Sequence, residues 1–292
     1  MSLLVIGRSG QVARALVRRA AARGIAVEAL GRPELDLEAP ALAEEAIRAR
    51  RPSVIINAAA YTAVDKAEDD RDRAYLLNSE APARIAAVAA ELGAPLIHFS
   101  TDYVFAGDKD TPYIETDVTA PAGVYGASKR EGEERVLAAS PRAIVLRTAW
   151  VYDSAGQNFV RTMLRLASTR DEISVVADQH GAPTYADDLA NAALTIAAKP
   201  TAFGIYHCAG QGETVWADFA AAIFAGAAIR GGPSAAVKRI TTADYPTRAR
   251  RPANSRLNCD KLAADYGVRL RLWPDALSDC LDEIAASGWS VG

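Results

Sequence analysis

Short apolar runs alternate with longer mixed segments through the first half of the chain. Leu3-Leu4-Val5-Ile6 is unbroken, and Ile25–Leu30, Ser53–Asn57, Pro95–Phe99 and Ala143–Leu146 repeat the pattern. Between them, Ala, Leu and Ile recur among Arg and Glu at helical spacing over Gln11–Arg23, Leu42–Arg50, Ala81–Leu92 and Val124–Ala138. Apolar strands without polar alternation are buried on both faces, and strands separated by helices run parallel. The pattern predicts an α/β fold, a doubly wound parallel sheet covered by helices. After Trp150 the rhythm loosens: Gly, Pro and Asp punctuate 178–184 and 231–255, with helices predicted over Asn158–Ala167, Asp187–Ala198 and Ala217–Ala227. Residues 1–150 read as the sheet-bearing domain. Residues 151–292 read as a smaller C-terminal lobe, some segments of which return to complete the sheet.

With 292 residues, half of them hydrophobic, the chain can bury a large core. No apolar run approaches the ~20 residues that cross a bilayer. One polar residue and no basic segment precede Leu3, so neither a secretory signal nor a membrane partner is predicted. A net charge of −3 carries no footprint for nucleic acid. Cys208, Cys259 and Cys280 are odd in number and far apart, as expected of reduced thiols in a cytoplasmic protein. His98, His180 and His207 lack metal-ligand spacing, so the chemistry is expected from an organic cofactor or side chains and no metal.

Directly after the first apolar run comes Gly7-Arg8-Ser9-Gly10-Gln11-Val12-Ala13, opening the first predicted helix. Glycine lets backbone approach a pyrophosphate, while the helix start offers free N–H groups and a positive dipole end. A glycine turn also occurs for backbone reasons alone, but its place in a βαβ pattern favours a Rossmann-type dinucleotide site. That reading sets Gly7, Gly10, Gln11 and Val12 on the cofactor; Ala13, in place of a third glycine, is small enough for close helix–strand contact. A strict NAD site would end the second strand on an acidic residue. This chain has Leu30-Gly31-Arg32 there, with Arg8 in the turn. Arginines suit a 2′-phosphate, which favours NADPH with NADH as the alternative; the plainer reading makes both arginines solvated. Asp36-Leu37 would flank the adenine, and Ala58, Ala59 and Ala60 after Asn57 would leave room for a bulky cofactor.

Tyr125-Gly126-Ala127-Ser128-Lys129 sets a phenol and an amine at i and i+4 on one helix face. A nearby ammonium is expected to pull the phenol below its usual pKa near 10. The tyrosine can then hand a proton to a carbonyl oxygen as hydride reaches its carbon. The pair alone is a weak signal. The upstream segment His98-Phe99-Ser100-Thr101-Asp102-Tyr103-Val104-Phe105 strengthens it, because it sets the Thr101 hydroxyl at a strand end where this fold holds ligands. Catalysis is therefore expected from Thr101, Tyr125 and Lys129.

Together these motifs resemble the dTDP-4-dehydrorhamnose reductases, a branch of the extended short-chain dehydrogenases, over nearly the whole chain. The resemblance is carried by Gly7-x-x-Gly10-Gln11-Val12, by 57–68 (NAAAYTAVDKAE), by Ser100–Phe105 and Val124-Tyr125-Gly126, and by 147–152 (RTAWVY), 178–184 (DQHGAPT) and 251–257 (RPANSRL). Residues 62–68 and 178–184 are the most specific to this branch. The resemblance implies reduction of the 4-keto group of a dTDP-6-deoxy-L-hexose to give dTDP-L-rhamnose. It implies a sugar site lined by Thr101, Asp102 and Trp150, with Val64 and Tyr103 nearby, and a dinucleotide held by Gly10 to Val12, Asp36, Leu37 and Ala60, Tyr61 and Thr62. A lone Trp is more often a core anchor; a place just past a strand end favours the sugar. Gln179 and His180 read either as a turn or as substrate contacts. Arg248, Arg250, Arg251 and Arg256 cluster in the Pro-rich tail, and Arg256 is the choice for the nucleotide diphosphate.

Some family members dimerise through acidic side chains bridged by Mg²⁺. Here the first helix carries Arg14 and no carboxylate nearby, although Asp187 and Asp188 match later ligands, so a monomer or a homodimer is expected. Two alternatives stay open. Another nucleotide-ketosugar reductase or epimerase would share the fold; a dehydratase is disfavoured because no glutamate follows Asp102. A non-catalytic regulatory subunit resembling that of methionine adenosyltransferase would keep the fold as a binding module.

Overall fold

The apolar runs become strands because they have two faces to bury. In the computed structural model, which describes residues 2–289, β1 (Leu3–Ile6) sends Leu3 and Val5 into one core cluster and Leu4 and Ile6 into another. β3 (Val54–Asn57) and β5 (Ala143–Thr148) divide their side chains in the same way. Each such aliphatic side chain contributes ~1.5–3 kcal/mol when buried. With β2 (Val27–Leu30), β4 (Leu96–Thr101) and a late strand, β10 (Gly204–His207), they form a six-stranded parallel sheet in the order β10-β5-β4-β3-β1-β2.

Helices α1 (Gln11–Ala22) and α8 (Ala186–Ala198) cover one face, while α2 (Pro40–Arg50), α5 (Ala81–Glu91) and α6 (Val124–Ala139) cover the other. The strand order reverses between β1 and β3, the switch point outside which this architecture binds ligands. Two short helices, α3 (Val64–Ala67) and α4 (Arg71–Tyr75), and a π-helical stretch (Leu76–Glu80) lead from β3 into α5. Their polar, alanine-rich sequence lacks the amphipathic period that marks the longer helices.

The second lobe has its own core, built from α7 (Phe159–Ala167), α9 (Trp216–Ile229) and α11 (Trp273–Ala286) around the parallel pair β7 (Glu172–Val176) and β12 (Ala236–Ile240). Two short pairs, β6 (Val151–Tyr152) with β9 (Thr184–Tyr185) and β8 (His180–Gly181) with β11 (Thr214–Val215), and α10 (Asp260–Tyr266) complete the described strands and α-helices. The chain between β7 and β12 returns: α8 packs on α1, and β10 adds to the sheet edge beside β5. The lobe therefore stands over the carboxyl ends of β4 and β5, and a cleft lies between the two parts.

Candidate active site

Gly7 adopts φ +118°, and a Cβ there would come within 3.3 Å of the Ala58 and Ala59 backbone. Its N–H donates to the Leu30 carbonyl at 2.7 Å, so the turn after β1 is tied to the end of β2. Gly10 differs: its φ is −68°, and a Cβ would meet only Ala58 O at 3.9 Å. Backbone geometry accounts for glycine at position 7. At position 10 its effect is to leave the start of α1 open. Gln11 begins that helix, and its buried Oε1 has no hydrogen-bond partner. Val12 packs on the core beneath.

The turn after β3 lies against this one. Asn57 is buried, and its Oδ1 accepts from Ala59 N at 3.1 Å, fixing the Ala58-Ala59-Ala60 turn. Tyr61 N donates to Asn78 Oδ1, while Asn78 Nδ2 donates to Tyr61 O and to Ser128 Oγ. Asn78, on the π-helical stretch, therefore couples the alanine turn to α6. The two elements touch so closely that a Cβ on Gly132 would lie 2.0 Å from Asn78 O. Thr62, the next residue, is exposed.

On the adenine side, Leu37 is buried and the Asp36 carboxylate accepts from Glu38 N. Arg8 pairs with Glu34 at 2.9 Å, and Arg32, largely exposed, reaches Glu38 at 3.9 Å. Both arginines line the β1–β2 edge with carboxylates for neighbours.

Glu68, last residue of the 62–68 motif, accepts from Val124 N at 2.8 Å at the start of α6. A carboxylate there offsets the helix dipole and satisfies a free N–H. Asp65, from the same motif, accepts from Ala249 N and from Arg251 Nη2 at 2.5 Å, which docks the 245–251 segment. Asp178 accepts from Thr242 N and Oγ1, and His180 pairs its backbone with Ala253 and Ser255. The two most specific motifs are thus braces for the second lobe's loops. His180 is exposed, while the buried Gln179 donates to Thr242 Oγ1.

At the end of β4, Thr101 Oγ1 donates to Asp102 Oδ1 at 2.9 Å and accepts from Tyr103 N. Tyr125 sits on the first turn of α6, where Thr101 acts on its phenol. Its ring meets Tyr103 edge to face at 5.5 Å. Burial pushes the Tyr125 phenol above its ordinary value, opposed in part by Thr101. This corrects the expectation that the neighbouring ammonium lowers it. Lys129 is buried, and its Nζ donates to Phe99 O at 2.7 Å rather than to the phenol. Burial also pulls Lys129 down to about 8, against Glu133, which raises it. Asp102 is pushed up to about 6 by burial, opposed by Ser255 and Thr101, and its Oδ2 is buried without a partner.

Beside these groups opens a cleft of about 680 Å³, whose lining includes Val64, Tyr103, Gln179, Trp216, Tyr245 and Arg251. Trp150 lies behind it. Its φ of +51° is rare for a non-glycine residue, and its indole stacks on Trp216 at 3.6 Å. Gly181 faces the same ring, where a Cβ would lie 2.4 Å from it. Trp216, which the sequence pattern left just outside a helix predicted from Ala217, is the aromatic surface on the cleft. Arg256 is a second correction. Its guanidinium is spent on Asn254, Glu213 and the Asp110 carbonyl, away from the cleft, because it clamps three loops. Arg251 is the tail arginine that lines it.

Among the described residues, no group of three His, Cys, Asp or Glu side chains stands close enough to hold a metal ion. Asp187 accepts from Arg18, and Asp188 pairs with Arg271 at 3.0 Å. No described helix is long and apolar enough to cross a membrane.

Residues 1–286 match the family model described as RmlD substrate binding domain. A dTDP-4-dehydrorhamnose reductase of Sinorhizobium fredii is 48% identical, over 94% of this chain and 95% of that protein. A probable dTDP-4,6-dihydroxy-2-methyloxan-3-one 4-ketoreductase of Streptomyces antibioticus is 41% identical, over 98% of this chain and 97% of that one. Among solved structures, a dTDP-4-dehydrorhamnose reductase of Clostridium acetobutylicum superposes with TM-score 0.91 at 36% identity, covering 97% of this chain and 99% of that one. One from Bacillus anthracis, in complex with NADP, gives TM-score 0.91 at 33% identity with the same coverage.

Proposed function

The chain belongs to the RmlD substrate binding domain family, and from that premise we propose that it reduces dTDP-4-dehydro-L-rhamnose at C4 to dTDP-L-rhamnose. It is an oxidoreductase that uses NADPH, with NADH as the second donor. The observation that carries the reading is the convergence at the end of β4 of Tyr125 with Tyr103, whose N–H donates to Thr101, beside a cleft that Tyr103 lines and the second lobe roofs.

The residues fit a dinucleotide. Gly10 leaves the start of α1 uncovered, and Gln11 presents a buried oxygen with no protein partner. Gly7, Gly10, Gln11, Val12, Asp36, Leu37 and the turn 58–62 would hold it, with Arg32 and Arg8 toward a 2′-phosphate. A bound reduced nicotinamide supplies the hydride for the sugar's C4.

Tyr125 gives the proton to O4 of the sugar. Burial keeps its phenol protonated across the working range, and Thr101 orients the hydroxyl. In this structure the single Thr101 hydroxyl proton goes to Asp102. Asp102 lies 4% exposed at the site and fixes that direction. Val64, Tyr103 and Trp216 give the hexose apolar and aromatic walls, with Trp150 supporting Trp216. Arg251, half committed to Asp65, faces the diphosphate.

The protein is read as cytoplasmic, and as a monomer or a homodimer joined without metal, since arginines already neutralise Asp187 and Asp188. The test mixes purified protein, NADPH and enzymatically prepared dTDP-4-dehydro-L-rhamnose and follows loss of nicotinamide absorbance. Oxidation with dTDP-L-rhamnose as product supports the reading. Oxidation only with another dTDP-ketosugar would move the substrate toward that of the Streptomyces relative. None with any ketosugar, while NADPH still binds, would sink the reductase reading.

A further inference from the structure

Behind Lys129 lies a polar pair that the proposed reaction does not use. His98, on β4, is fully buried, with Nδ1 3.1 Å from Asn57 Nδ2 and Nε2 3.5 Å from Lys129 Nζ. Asn57 is 1% exposed and Lys129 2%. A polar group this deep is held where it is by its partners, so each contact constrains the next.

The orientation of the chain follows from one backbone group. Ala59 N–H donates to Asn57 Oδ1, so the amide of Asn57 turns its NH₂ toward His98. An NH₂ group only donates; His98 Nδ1 must therefore accept and carry no proton. A neutral imidazole with a bare Nδ1 carries its proton on Nε2, the atom that faces Lys129. An ammonium has three donors and no lone pair. Facing an N–H, the amine is better neutral than charged.

We propose that His98, held in its Nε2–H form by Asn57, is a positioning residue that biases Lys129 toward the neutral amine and links that charge state to the Ala58-Ala59-Ala60 turn. The inference deepens the proposed function and rests on the sequence expectation that Lys129, one helical turn after Tyr125, belongs to the same site. The direction of the shifts agrees: burial first, then Lys129, holds His98 well below its usual range, and burial brings Lys129 to about 8. The other groups around the amine are accounted for. Glu133, one turn further along α6, favours the ammonium, and Arg147 of β5 binds that carboxylate at 2.6 Å. The Phe99 carbonyl of β4 accepts from Nζ in either charge state. Tyr125, one turn back, sets its ring edge to face against Tyr103.

Asn57→Asp is the informative variant. It is nearly isosteric, its Oδ1 still accepts from Ala59 N–H, and its second oxygen now demands a proton from His98 Nδ1. The imidazole then turns a lone pair toward Lys129, and the ammonium is favoured. With three histidines and six lysines in the chain, ring ¹⁵N and lysine ¹³Cε resonances of the full-length protein are resolvable by NMR. His98→Leu identifies the His98 signals and removes the N–H.

The expected result is an Nε2–H tautomer of His98 in the native protein from pH 6 to 9, switching to Nδ1–H in Asn57→Asp. The Lys129 midpoint should rise by roughly one pH unit in both variants. A native His98 protonated on Nδ1, or Lys129 midpoints unmoved in both variants, overturns the proposal. These readings need no substrate, so a protein that turns over no ketosugar would refute the reductase reading and leave this test standing. In an active enzyme the basic limb of the kcat profile should move with the Lys129 midpoint; a lowered Tm with a superimposable profile would mark the pair as structural only.

Discussion

At Tyr125 and Asp102, burial outweighs the nearest charges. The phenol is held protonated by its surroundings, and Lys129 is turned to a backbone carbonyl, so the proposed proton donation rests on where α6 places the phenol at the end of β4. Tyr125→Phe should lower kcat by ~10²–10⁴-fold, the range for loss of a positioned acid, with NADPH affinity and Tm nearly unchanged. Steady-state kinetics with fluorescence titration checks both, and equal turnover would sink the mechanism. Asp102 predicts a pH effect on stability. Its folded value of about 6 lies above its unfolded value of 3.8, so the folded state binds that proton more tightly. The cost of the buried carboxylate is full above pH 6 and is relieved as pH falls from 6 toward 4, a difference of ~3 kcal/mol at most. Asp102→Asn should raise Tm at pH 8 and remove this part of the Tm slope; parallel melting curves against pH would refute the assignment.

Among the elements, α6 is placed from outside itself. Its sequence shows where Tyr125 and Lys129 share a face. The capping carboxylate is 56 residues away at Glu68, and the contact that sets its depth is backbone of the π-helical stretch against Gly132. Irregular helical turns of this kind recur at functional sites. Glu68→Ala leaves Val124 N unsatisfied beside the catalytic turn. We expect a loss of ~0.5–2 kcal/mol of stability, as for a lost helix cap, and a several-fold fall in kcat at saturating NADPH. Chemical denaturation and kcat measure the two separately. A stability loss with full kcat would show that the cap does not position Tyr125.

For the whole molecule, the site exists where the two lobes meet. Trp150 ends the sheet side and Trp216 begins α9 of the second lobe, and their stacked rings join the two. Aromatic pairs of this geometry contribute ~0.5–1.5 kcal/mol beyond area burial. Trp216→Ala should raise KM for the nucleotide sugar by roughly tenfold while leaving NADPH affinity, which the proposal assigns to the sheet's turns, intact. If both constants rose together, the indole would be supporting the fold as a whole rather than the sugar wall. Arg147 and Glu133, both nearly buried, tie α6 to β5 from beneath.

Period and local chemistry carried much of this protein in one dimension. Unbroken apolar strands at Leu3, Ser53, Pro95 and Ala143, spaced by helical segments, point to a parallel sheet because the intervening helices cover both of its faces. Gly7 is required by its own φ and by the backbone it touches, and Tyr125 with Lys129 by the pitch of a helix; such constraints are local and readable. Contacts between distant segments were not. The resemblance pointed to Trp150 and Arg256, but the cleft is lined by Trp216 and Arg251, because which aromatic or guanidinium faces a cavity depends on how loops from 62–68, 178–184 and 241–256 lie on one another. β10 joins the sheet from beyond residue 200 for the same reason: its short run is a strand by virtue of pairing with β5, far back in the chain. The raised phenol of Tyr125 and the hidden pair Asn57–His98 depend on burial, which no residue carries alone and which the assembled fold supplies.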